Sequence, residues 1–178
     1  MDLGLTGRVA VIGGGSKGLG RACADSLAQE GTNLAICSRN AEELETAAAE
    51  IRAAAGVEVL AVPGDLSRLE DIQRLVQTTV DHYGRLDIAV ANSGGPPSGR
   101  AADTDEETWS RSIDMALSFF IRMGREATPH MRQRKWGRIV KYPGLHRLPA
   151  HRQPGDLRRY PHGRRGLRQE PGRRGGTR

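Results

Sequence analysis

The stretch from Val9 to Gly20, V-A-V-I-G-G-G-S-K-G-L-G, constrains this chain more than any other. Val9, Ala10, Val11 and Ile12 form an unbroken apolar run, the pattern of a strand buried on both faces of a parallel sheet. The run breaks into Gly13, Gly14 and Gly15, then Ser16, Lys17, Gly18, Leu19 and Gly20, and the residues turn helical through Arg21 to Ala28. Glycine lets the backbone approach a ligand, and a helix N-terminus favours negative charge, so a strand, glycine turn and helix start suit a pyrophosphate. The same glycines also serve as a plain tight turn, and the rest of the chain decides between the two readings.

Asn33 to Cys37 reads as a second strand ending at Ser38 and Arg39. In dinucleotide folds an acidic residue near this point holds the adenosine ribose 2′-hydroxyl and selects NAD. None stands here. Arg39, with Ser38 beside it and Lys17 in the glycine loop, would pair instead with a 2′-phosphate, which favours NADP over NAD; the alternative is a solvated arginine at a strand end. Asn40 caps a helix whose buried stripe is Leu44, Ala47, Ala48, Ile51 and Ala55, and Gly56 ends it. A third strand follows at Val57 to Val62, a helix at Leu69 to Tyr83 stopped by Gly84, and a fourth strand at Leu86 to Ala91. Glu106 to about Arg134 reads as one long helix, kinked or broken at Pro129.

Gly14, Gly18 and Gly20 are spaced G-x-x-x-G-x-G, wider than G-x-G-x-x-G. That spacing, the Asp65-Leu66 pair, the turn Asn92-Ser93-Gly94 and the W-G-R-I-V run at Trp136 to Val140 resemble the short-chain dehydrogenase/reductase family over residues 5–140. Within it the chain is similar to 3-oxoacyl-[acyl-carrier-protein] reductases. The resemblance implies an α/β, Rossmann-type doubly wound parallel sheet and an NAD(P)(H)-dependent oxidoreductase acting on a small-molecule carbonyl or alcohol. It further implies that Gly14, Ser16, Lys17, Gly18, Leu19 and Gly20 form the cofactor loop. Ser38 and Arg39 would lie at the ribose, Asp65 and Leu66 at the adenine, and Asn92, Ser93 and Gly94 beneath the cofactor. Asp65 read by itself serves equally as a loop aspartate capping the next helix. The chain departs from the pattern at Gly13 (usually Thr), Ala91 (usually Asn) and Ala116 (usually Asn).

After Val140 the resemblance stops. The family continues with a serine and a helix bearing Tyr-x-x-x-Lys, whereas the last serine here is Ser118. Tyr83, Tyr142 and Tyr160 are followed four residues later by Asp87, His146 and Arg164. A phenol of ordinary pKa, about 10, is a poor proton donor unless a neighbouring cation lowers it, so no catalytic residue is assigned. Residues 1–141 read as an incomplete NADP-binding Rossmann domain, truncated after the fifth strand. Residues 142–178 read as an Arg/Gly/Pro-rich tail, disordered because it has no Val, Ile, Phe, Met or Trp with which to build a core. A one-base shift through Gly166 to Gly175 permits G-F-A-K-S-L-A-D-E, a helix of the family's kind, so the tail reads as a reading-frame product. Two other functions compete with a catalytically incomplete oxidoreductase: a non-catalytic nucleotide-binding module, and nucleic-acid binding through the arginines, the least favoured of the three. A tail of this kind leaves the fifth strand as an open edge and predicts poor solubility.

The net charge of +6 is uneven, +9 over residues 141–178 and −3 over the rest. Cys23 and Cys37, two in 178 residues, fit a reduced, cytoplasmic setting. The apolar stretch Met115 to Met123 is too short to span a membrane and contains Arg122. His146, His151 and His162 have no clustered cysteine or carboxylate beside them, so no metal site is expected.

Overall fold

Strand-length apolar runs alternating with one-sided helices leave one economical arrangement, a parallel sheet with helices on both faces. The computed structural model describes residues 2–92 and 103–141 and has this form. The chain divides into two units, Met1–Leu145 and His146–Arg178, and every described residue belongs to the first. The basic tail, and with it the readings of disorder and frame, lies outside the described residues.

In chain order the elements are β1 (Val9–Gly13), α1 (Gly18–Gln29), β2 (Asn33–Cys37), α2 (Ala41–Ala55), β3 (Val59–Ala61) and α3 (Leu69–Tyr83). Then come β4 (Ile88–Ala91), α4 (Glu106–Ile113), a π-helical turn (Asp114–Ser118), α5 (Phe119–Gln133) and β5 (Arg138–Lys141). The strands are parallel in the order β3-β2-β1-β4-β5. The chain therefore runs outward from β1 through β2 and β3, then crosses back to β4 on the other side. That reversal opens a crevice at the carboxyl ends of β1 and β4, where ligands of open α/β sheets bind.

Alternation along the strands feeds two cores. Val11, Ala35 and Ala89 face one side with Ile72, Leu75 and Val76 of α3 and Phe119, Met123 and Ala127 of α5. Ala10, Ile12, Leu34, Ile36 and Val90 face the other with Ala24 and Ala28 of α1 and Leu44, Ala48 and Ile51 of α2. Ile12, Leu34 and Ile36 are fully buried, each contributing about 1.5–3 kcal/mol by leaving water. Asn40 caps α2 as its sequence position predicts, its Oδ1 accepting from the Glu43 N–H at 3.1 Å, and Gly56 ends the helix at φ +68°.

At the amino ends of the strands Asp87 is fully buried. It accepts from the Val9 N–H at 2.9 Å and from Arg85 at 2.7 and 2.8 Å, and Arg8 lies 3.4 Å away. Burial by itself would raise the Asp87 carboxyl; the Arg85 and Val9 hydrogen bonds and the two guanidinium charges outweigh it and hold the pKa below the usual range. Arg8 also stacks on Trp136, 3.9 Å from the ring centroid, which ties the entry of β5 to β1.

Three sequence expectations are corrected. The helix expected from Glu106 to about Arg134 is interrupted at Asp114–Ser118, and Pro129 lies inside α5, one helix through Gln133. The third strand is Val59–Ala61 instead of Val57–Val62, although its flanks still bond: the Leu34 N–H donates to the Glu58 carbonyl and the Val62 N–H to the Ile36 carbonyl, both at 2.9 Å. The fourth begins at Ile88 instead of Leu86, although Asp87 still bonds to both neighbours: its N–H donates to the Val9 carbonyl and its carbonyl accepts from the Arg138 N–H, both at 2.9 Å. Among the described residues β5 pairs with β4, and Ile139 and Val140 are 38% and 47% exposed. No described helix is long and apolar enough to cross a membrane.

Candidate functional site

The glycine turn forms the floor of the crevice. Gly14 and Gly18 adopt φ +64° and +63°, conformations that side chains with a Cβ rarely take. Gly20 does something different: a Cβ there would collide with the Gly14 carbonyl oxygen and stand 2.6 Å from that of Gly13, so glycine lets α1 close against the loop. The Asn92 side chain donates to the Gly13 carbonyl at 3.1 Å, and the Gly15 N–H donates to the Cys37 carbonyl at 3.0 Å. The loop is thus pinned between the ends of β4 and β2. Gly13, where the resembling family has Thr, is itself demanded by packing, since a Cβ there would meet the Asn92 carbonyl oxygen and the Leu66 side chain.

The amino end of α1 is left open to this floor. Lys17 precedes it in extended conformation, without a side-chain cap bond and with no acidic residue in the first turn. The contrast is with α2 and α4, capped by Asn40 and Asp105 and carrying glutamates in their first turns. Among the described residues, then, neither a cap side chain nor a first-turn carboxylate serves the orphan N–H groups and positive end of α1, the condition in which a helix start takes an anionic ligand.

The cavity above measures about 1090 Å³. It is lined by Gly14, Ser16, Lys17, Gly18 and Leu19 from the turn, Ser38 and Arg39 after β2, Asp65 and Leu66 after β3, and Asn92 after β4. Of the residues singled out in the sequence, these ten come together, Gly20 supports them from beneath, and Ser93 and Gly94 lie outside the described residues. Sequence reasoning missed Asn40, Glu43, Gly64, Ser67, Arg111, Asp114 and Met115, which also line the cavity. Glu43 had a local signal, its place in the first turn of α2 beside Ser38 and Arg39. The last three come from across the fold, in α4 and in the π turn, where Asp114 is joined to the strand side by Arg122. Its guanidinium donates to the Ser67 carbonyl at 2.9 Å and sits 3.6 Å from Asp114.

Charge is distributed along the cavity in pairs. Lys17 Nζ lies 3.1 Å from a Glu43 carboxylate oxygen. The Asp65 carboxyl is held below its usual range first by the hydrogen bond from the Ser67 N–H at 3.0 Å, against the effect of burial, with the nearby charges of Arg39 and Arg68 adding to it. Asp65 does not cap α3: the cap position is Arg68, with no side-chain bond. Burial pushes the Cys37 thiol up to about 12, so this neighbour of the site is an inert thiol. Tyr83, the described tyrosine, donates to the Leu34 carbonyl at 3.0 Å at the amino end of β2, and burial raises its pKa to about 12. It is no proton donor for this cavity.

A parallel sheet with a glycine turn, an uncapped helix start and a cavity at the reversal of strand order defines the Rossmann class of nucleotide-binding domains. A family model described as short chain dehydrogenase matches residues 8–143, and the chain belongs to that family. It is 31% identical over 137 residues to rabbit (Oryctolagus cuniculus) dehydrogenase/reductase SDR family member 4, covering 76% of this chain and 52% of that protein. It is 32% identical over 144 residues to D-beta-hydroxybutyrate dehydrogenase of Rhizobium meliloti, covering 80% and 56%. Among solved structures, L-sorbose reductase from Gluconobacter frateurii complexed with NADPH and L-sorbose superposes with a TM-score of 0.77 at 32% identity, covering 79% of this chain and 54% of that one. NAD+-bound xylitol dehydrogenase gives 0.72 at 27% identity, covering 77% and 53%. The chain spans about half the length of the relatives it matches.

Proposed function

We propose that the chain is an NADP(H)-binding module of short-chain dehydrogenase/reductase type that does not itself transfer hydride. The observation that carries this reading is the uncapped start of α1, which lines the same cavity as Ser38 and Arg39. The residues present fit a dinucleotide: Gly18 lines the cavity with nothing within 4 Å of where a Cβ would stand, and the donors of α1 suit a pyrophosphate. When bound, a nicotinamide cofactor supplies or accepts the hydride that interconverts a carbonyl and an alcohol. The chain's own contributions are binding and orientation. The turn and helix start hold the pyrophosphate, Lys17 and Arg39 bring positive charge to a 2′-phosphate, Asp65 and Leu66 flank the adenine, and Asn92 keeps the turn in place through Gly13.

The NADPH complex of the similar sorbose reductase supports NADP, as does Arg39 standing where an acidic residue selects NAD. Proton transfer is where the chain falls short. The last serine is Ser118, and no tyrosine has a lysine four residues on. Titration by nicotinamide fluorescence tests the reading. NADPH should bind saturably, and Arg39→Gln should weaken it about tenfold while leaving NADH nearly unchanged, the loss of one charge-assisted contact. Added ketone should not be reduced. Absence of saturable binding, or equal weakening of both nucleotides, would overturn the assignment.

A further inference from the structure

The cation in the glycine turn is already engaged. Lys17 and Glu43 both line the cavity, and their charged atoms are 3.1 Å apart, a contact that spans from the turn to the first turn of α2. Arg39, the other cation on this side, lies between them in sequence and also lines the cavity. The pair is solvated, with the Lys17 side chain 79% and the Glu43 side chain 47% exposed, so it is weak and open to competition from a stronger anion.

We infer that Glu43 is a specificity-determining residue of the nucleotide site, acting as a counter-anion that competes with the 2′-phosphate of NADPH for Lys17 and so lowers discrimination against NADH. This rests on the nucleotide-binding reading above. A phosphate arriving beside Lys17 and Arg39 must displace the carboxylate, and while both remain near, their like charges repel. NADH brings a hydroxyl in place of the phosphate and leaves the Lys17–Glu43 contact intact. Specificity is a difference of two affinities, and an unfavourable element against one ligand sets it as surely as a favourable one for the other.

The test is a double-mutant cycle on the full 178-residue chain, titrated with NADPH and with NADH. Glu43→Gln keeps the side chain's size and removes its charge. It should tighten NADPH about two- to fivefold, the range of an exposed ion pair, and leave NADH within about 1.5-fold. In a Lys17→Gln background the same substitution should produce less than half of that gain, because the cation it frees is gone. Raising the salt concentration should shrink the gain further. If wild type binds NADPH but Glu43→Gln moves both nucleotides equally, or moves neither, the competition is refuted and the nucleotide-binding reading stands. If wild type binds neither nucleotide, both fail together.

Discussion

Gly20→Ala separates the role of the glycine turn from that of the fold around it. The added Cβ would overlap the Gly14 carbonyl oxygen and lie 2.6 Å from the Gly13 carbonyl oxygen and 2.7 Å from the Gly14 carbonyl carbon. All three are backbone atoms, so no side chain can swing away. Reaching ordinary contact near 3.4 Å requires the start of α1 and the turn to separate by about 0.8 Å on the Gly13 side and by more at Gly14. Overpacking of this size costs about 1–3 kcal/mol of stability, leaving a folded protein to assay. The separation acts on the two elements that hold the pyrophosphate, and displacement on the scale of an ångström at a positioned site costs up to about a hundredfold. NADPH affinity should therefore fall at least tenfold, with the circular dichroism spectrum preserved and the melting temperature lowered. Gly18→Ala is the comparison: its Cβ would meet nothing within 4 Å, so it bears only the strain of φ +63°, about 1–2 kcal/mol. Wild-type NADPH affinity in folded Gly20→Ala would refute the placement of the nucleotide against this turn.

Two further perturbations test the frame. Asp87→Asn removes the charge and one of the two acceptor oxygens that serve Val9, Arg85 and Arg8, and should cost about 2–3 kcal/mol of unfolding free energy by denaturant titration. Because the folded-state pKa of Asp87 is depressed, its contribution is full above the ordinary carboxylate range and is lost as pH falls through the folded value. Wild type should lose this increment below about pH 4, and the variant should show a shallower acid limb. Asn40→Ala deletes the α2 cap and should cost about 1 kcal/mol in the same assay, with Asn40→Ser recovering most of it.

The parts of the fold written locally were legible before the structure. Asn33–Cys37 and Leu69–Tyr83 have the limits their residues indicate, because Gly84 marks a helix end and Ser38 and Arg39 end an apolar run. The π turn was not legible: Asp114–Ser118 keeps the apolar spacing of a helix, and the change lies in backbone pairing. The loop–helix contact at Gly20 was visible as a glycine pattern, but the equal demand at Gly13 depends on Asn92 and Leu66, far away in sequence. Arg111, Asp114 and Met115 line the cavity from far along the chain, and Arg122, which joins Asp114 to the Ser67 carbonyl, makes a contact no local pattern encodes. Glu43 illustrates a subtler loss. Its position in the first turn of α2 explains its charge, and that explanation conceals its contact with Lys17.

The central claim is that NADPH binds at the crevice between β1 and β4, over the glycine turn, and backbone amide NMR on the isotope-labelled chain tests it most directly. On titration with NADPH, the amides of Gly14, Gly18, Arg39, Asp65 and Asn92 should shift together and saturate at one affinity. Gly56 and Gly84, which end α2 and α3, should stay in place. Saturable shifts centred away from the turn, or none at millimolar NADPH, would contradict the account.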